Sequence, residues 1–86
     1  MSYFIKYQYL KDALRNQLYA LLNAETNQAA VGCLDSIQIN LRELGELNPS
    51  MKETMEMCDE WCNSLRIFET TRHDLCAAIL NIIVYM

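Results

Sequence analysis

An all-α fold follows from three properties of this 86-residue chain. Apolar residues recur every three or four positions along most of its length. Only two glycines and one proline punctuate it, and 52% of it is hydrophobic without any repeat or low-complexity tract. A period of three to four puts the apolar side chains on one helical face, which has to be buried against another helix. The expected architecture is a small antiparallel helical bundle forming a single domain over residues 1–86. Its helices are expected at about 3–22, 27–44 and 50–85, the last open to a kink or break near 69–71 that would give four.

The first helix carries Tyr7, Leu10, Leu14, Leu18 and Leu21 on one side. Residues 23–27 break it, because Thr26 and Asn27 are good N-caps for the second helix. That second helix has Ala30, Leu34, Ile37, Leu41 and Leu44 on its stripe, with Gly45 suited to a left-handed position just past its end. Ala29, Ala30, Gly32 and Cys33 form a small-residue patch that predicts a close helix–helix approach, within the chain or between copies.

Ser50 and Glu53 have capping-box spacing, and Pro49 is tolerated in a first turn. From Ser50, 37 residues run to the C-terminus without Gly or Pro. Met51, Cys58, Trp61, Leu65, Phe68, Leu75, Ile79, Ile82 and Met86 fit one heptad series, with Thr54 and Arg72 its polar members. Unbroken, this helix would be roughly 55 Å long. Thr71 and Asp74 offer a second capping box, yet no Gly or Pro enforces a turn, so a continuous or gently kinked helix is favoured over a clean break. A charge at Arg72 requires a turn there, or an acidic partner such as Glu69 or one on another chain. A long hairpin would expose apolar surface and oligomerise, whereas a compact bundle could stand alone.

The formal charge is −4, unevenly spread: Lys6, Lys11 and Arg15 against Asp12 give residues 1–24 a balance of +2, leaving −6 for the rest. An acidic body disfavours direct nucleic-acid or anionic-membrane binding, which depends on Lys and Arg neutralising phosphates. No stretch has the roughly 20 apolar residues that a membrane span needs. The start lacks signal-peptide organisation. Cys33, Cys58, Cys62 and Cys76 then read as reduced thiols in a cytoplasmic protein.

No cofactor is expected. Cys58, Cys62, His73 and Cys76 could form a tetrahedral zinc set only if the chain turns near Thr70, since Cys62 and Cys76 are 14 residues apart. Such a zinc-stabilised domain is one alternative. No catalytic set assembles: Arg72, His73 and Asp74 diverge around a helix, and no phosphate loop or nucleophile motif is present. The chain is therefore expected not to be an enzyme.

Two surfaces remain. Glu53, Glu56 and Glu60 form one acidic helical stripe with Asp59 beside it, extendable through Glu43 and Glu46. Such a field steers a basic partner. Tyr3, Phe4, Ile5, Tyr7, Tyr9 and Leu10 point nearly all round the first helix, so some must be exposed or meet another chain. Clustered aromatics are typical of binding hot spots. The expected function is a non-enzymatic regulator, inhibitor or adaptor. It would bind a protein with a basic surface through Glu53, Glu56, Asp59, Glu60, Tyr3, Phe4, Tyr7 and Tyr9, for example as an inhibitor of a nucleic-acid-handling complex. Homo-oligomerisation is also expected.

Asn48-Pro49-Ser50 followed by a C-terminal amphipathic helix is similar to the layout of type III secretion needle subunits, over about residues 44–86. The four cysteines, the aromatic start and the very apolar end are departures from it. The resemblance implies a self-assembling helical hairpin as a further alternative.

Overall fold

The computed structural model describes residues 3–66 and 71–86. Four α-helices account for most of them: α1 (Tyr3–Leu22), α2 (Asn27–Leu47), α3 (Lys52–Arg66) and α4 (Arg72–Val84), with a 3₁₀ turn over Pro49–Met51. Each helix packs on two others in a ring, α1 on α2 and α4, and α3 on α2 and α4. The pairs α1/α3 and α2/α4 are therefore diagonal among the described residues. Neighbours run antiparallel. Gln17 meets Asn40 across α1 and α2, Gln38 meets Asn63 across α2 and α3, and Cys76 meets Leu18 across α4 and α1. The result is an up-down-up-down bundle measuring 37 × 22 × 18 Å.

The helices start and stop for local reasons. Thr26 accepts a hydrogen bond from the Ala29 amide at 3.1 Å, capping α2 as its sequence suggests. Gly45 does not end α2, which runs on to Leu47. It lies buried inside the helix, where an added Cβ would sit 3.4 Å from the Met55 Cβ. Gly45 thus faces α3 within the helix and is not a left-handed cap. Ser50 does not cap α3 either: the 3₁₀ turn intervenes, and Ser50 Oγ instead donates to Asn48 Oδ1.

The favoured long third helix is not what forms. Thr71 caps α4 by accepting from the Asp74 amide at 3.3 Å, so the second capping box wins over continuity. The remainder of the expected break, Glu69 and Thr70, lies outside the described residues. Among the described residues Arg72 donates to backbone; its guanidinium reaches the Ala24 carbonyl at 2.7 Å and the Leu21 carbonyl at 3.4 Å. A cation there is favourable at the C-terminal end of α1, where it reaches the Ala24 carbonyl and adds to the bond that the Leu21 carbonyl already accepts from the Ala24 amide.

The break also shifts the core register. In α3 the buried side chains are Met55, Cys58 and Cys62, and in α4 they include Cys76 and Ile79, so two short stripes replace one heptad series. The buried positions of α1 are the five anticipated ones. The small-residue patch makes no close approach within the chain at Gly32, where an added Cβ would meet nothing within 4 Å.

One seam of the bundle is polar. Gln38 is only 6% exposed; its Nε2 donates to Asn63 Oδ1 and the Asp59 carbonyl, and its Oε1 accepts from Nε and Nη2 of Arg66. Arg66 also pairs with Asp35, and Arg42 with Asp59. Because these partners match only at one offset, the seam sets how α2 and α3 align.

Candidate functional site

The α1–α2 packing sorts the N-terminal aromatics. Tyr7 faces inward and is 8% exposed. Its hydroxyl accepts from Asn48 Nδ2 at 2.9 Å, its ring meets Tyr3 edge-on, and Lys11 Nζ lies 5.6 Å from its centroid. The Tyr3 hydroxyl donates to the Leu47 carbonyl. Tyr7 is therefore a brace between α1 and the α2–α3 turn, and is removed from the candidate surface. Phe4 (68% exposed) and Tyr9 point outward, and more than half of Tyr3 remains accessible.

Antiparallel packing of α4 on α1 brings Val84 and Tyr85, both widely exposed, to this same end of the bundle. At about 200 Å² per aromatic side chain, the exposed fractions of Tyr3, Phe4, Tyr9 and Tyr85 correspond to roughly 500 Å². The apolar C-terminal run is visible in the sequence, but its nearness to residues 3–9 is a property of the topology.

The acidic surface lies toward the same end, on the α2/α3 side. Glu53, Glu56 and Glu60 are all exposed on α3. Asp59 differs from them. Its side chain is about four-fifths buried, with Oδ2 3.5 Å from Arg42 Nε, while Oδ1 is buried without a hydrogen bond among the described residues. Asp59 belongs to the wall of a cleft of about 210 Å³ between α2 and α3. Buried Leu41, Gly45 and Met55 lie at its base, with Arg42, Glu46, Lys52, Glu56 and Asp59 around it. Glu46 thus joins the acidic group across the helix pair, while Glu43 does not line the cleft. The volume is below the several hundred cubic ångströms of ordinary small-molecule sites and suits a protruding side chain.

His73 does not join the buried cysteines. Cys58, Cys62 and Cys76 are fully buried, whereas His73 is exposed on the first turn of α4. Among the described residues no group of three His, Cys, Asp or Glu side chains is placed to hold a metal ion. Burial pushes the Cys58 and Cys76 thiols up to about 11. Cys62 is pushed up to about 12, by burial first and the nearby Asp59 charge second. Such thiols are poor nucleophiles.

A thiol reagent at about pH 8 is therefore expected to modify half-buried Cys33 first and the other three only on unfolding, as mass spectrometry would record. Simultaneous labelling of all four would contradict the packing. The sign of the linkage is also set: the thiols hold their protons more tightly when folded. Their contribution is intact below the unfolded value near 9.0 and is lost as pH rises toward 11 to 12.

No helix among the described residues is long and apolar enough to cross a membrane. Compared with known proteins, the chain matches no protein-family model, no curated protein and no solved structure.

Proposed function

We propose that this protein acts by binding another protein, as an inhibitor, adaptor or small regulator, rather than by catalysis. The observation that carries the reading is the exposed acidic stripe of α3. Glu53, Glu56 and Glu60 are all solvent-exposed along it, and exposed Glu46 adds to the charge from across the cleft. A stripe of exposed carboxylates suits a partner with a basic surface, since its field speeds encounter. The aromatic surface of Tyr3, Phe4 and Tyr9 with Val84 and Tyr85 offers a second contact of different chemistry. Four free thiols, three of them sealed in the core, fit a reducing compartment such as the cytoplasm.

Reversal of the three exposed charges, Glu53→Lys, Glu56→Lys and Glu60→Lys together, tests this directly. All three positions are solvent-exposed, so helical content and melting temperature should stay close to wild type. Partner affinity should fall at least about tenfold, as loss of several interface charges implies. Unchanged affinity would remove the acidic stripe from the binding surface.

A further inference from the structure

The start of α2, the end of α3 and the start of α4 border a groove of about 330 Å³, at the other end of the α2–α3 pair from the acidic cleft. Its wall is made by Ala30, Val31, Leu34 and Leu65. Ala30 and Leu34 are buried, but Val31 is 45% exposed and Leu65 only partly buried, so apolar surface is open to a ligand. Asn27, Arg66 and Arg72 are the polar members of the lining. The groove thus carries two cations and no carboxylate, in a chain whose formal charge is −4. The acidic cleft, by contrast, mixes both signs.

Both guanidiniums are held by the protein. Arg66 donates through Nε and Nη2 to Gln38 Oε1, and through Nη2 to Asp35, which does not line the groove. Arg72 donates through Nη1 to the Ala24 and Leu21 carbonyls. A guanidinium has donors on all three nitrogens. Arg66 Nη1 and Arg72 Nε and Nη2 have no hydrogen-bond partner among the described residues. A cation already ordered by protein acceptors loses little freedom when an anion arrives.

We infer that this groove binds a small organic anion, with an apolar body on Val31, Leu34 and Leu65 and a carboxylate at Arg66 and Arg72. The volume is at the lower end of small-molecule sites, and an apolar wall with a few placed polar groups is their usual make-up. A planar carboxylate matches the guanidinium fork. The apolar wall adds affinity only for an anion that carries a hydrocarbon body. The site shares no residue with the acidic stripe or the aromatic start, so it stands apart from the protein-binding reading.

The test is calorimetric titration of the full chain with three probes: hexanoate, acetate with the charge but no chain, and 1-hexanol with the chain but no charge. Hexanoate should bind at one per chain with a Kd of about 1 mM, within reach of a ligand that small. It should also raise the melting temperature as its concentration rises. Acetate and 1-hexanol should each bind at least about tenfold more weakly. Arg66→Gln and Arg72→Gln should weaken hexanoate binding by a similar factor. Because both arginines also support the fold, Val31→Glu is the deciding variant. That position is exposed, so the melting temperature should stay near wild type, while a carboxylate on the wall should repel hexanoate and weaken binding at least about tenfold.

No saturable binding of hexanoate up to about 20 mM would overturn the inference. So would acetate or 1-hexanol binding as well as hexanoate, since a bare anion site or a plain apolar pocket would then suffice. Unchanged binding by a folded Val31→Glu chain would place the ligand elsewhere and overturn it too.

Discussion

Leu41→Ala is expected to destabilise the bundle by about 3 kcal/mol, because a fully buried leucine leaves a cavity that its surroundings only partly fill. Leu41 is 0% exposed on α2, the helix that packs against both α1 and α3, and its side chain also lines the base of the acidic cleft. In a domain of this size each kcal/mol shifts the melting temperature by roughly 4–8 °C, so a fall of more than about 10 °C should be seen. Net stabilities of about 5–15 kcal/mol leave little in reserve. Leu41→Met, which nearly conserves volume, should cost less than about 1.5 kcal/mol. Denaturant titrations followed by circular dichroism measure both. A loss below about 1 kcal/mol for the alanine variant would show that this position is not part of a packed core.

Gln38→Ala should cost about 2 kcal/mol, because an unmade buried hydrogen bond costs more than a made one contributes. Its amide lies in the α2–α3 seam and serves Asn63, the Asp59 carbonyl and Arg66 together, so removing it strands several polar groups. Much of that cost should be shared with Arg66. Hence a double-mutant cycle of Gln38→Ala with Arg66→Ala should show a coupling of about 1 kcal/mol or more. Simple additivity would mean that the seam's hydrogen bonds are replaced by water at little cost. The seam is thus an alignment device: a slip of α3 by one turn along α2 would separate Gln38 from Asn63 and Arg42 from Asp59.

The readability of these elements from the amino-acid order tracks their physics. The buried faces of α1 and α2 are visible because apolar residues, mostly leucines, repeat at helical spacing over several turns, and every residue assigned to those two stripes is buried. The α3 register is not visible in the same way. A heptad carried across residues 66–72 aligns Cys58 with Trp61 and Leu65, whereas the α3 core uses Met55, Cys58 and Cys62, and Trp61 is only partly buried. The decisive signals are Thr71 and Asp74, a cap, and Arg72, a charge that an uninterrupted apolar seam could not accept cheaply. The absence of Gly and Pro points the other way, yet a capped turn requires neither.

The Asn48–Pro49 turn does join an antiparallel pair, α2 and α3, while the segment after it forms two helices, with α4 folded back onto α1.

The candidate surfaces are legible in part. Glu53, Glu56 and Glu60 share one polar helical face, so their exposure follows from helical period alone. Asp59 and Tyr7 share sequence neighbourhoods with exposed residues yet are drawn inward by Arg42 and Asn48, partners distant in the chain. Burial of that kind depends on which helices become neighbours. So does the joining of Val84 and Tyr85 to the aromatic start, and so does the cleft, whose lining comes from both α2 and α3.

Neither the exposed glutamates of α3 nor the outward aromatics of α1 are needed to hold the fold, and the proposed role of both is to engage protein. Affinity capture on immobilised wild-type chain puts that role to the sharpest test. It is run beside Glu53→Lys, Glu56→Lys, Glu60→Lys and beside Phe4→Ala, Tyr9→Ala, with each variant first shown to melt within a few degrees of wild type. The protein retained by wild type at stoichiometric level, whether foreign or a tagged copy of this chain, should be lost from the charge-reversed variant and reduced on the aromatic one. Identical retention on all three chains would show that neither surface binds protein.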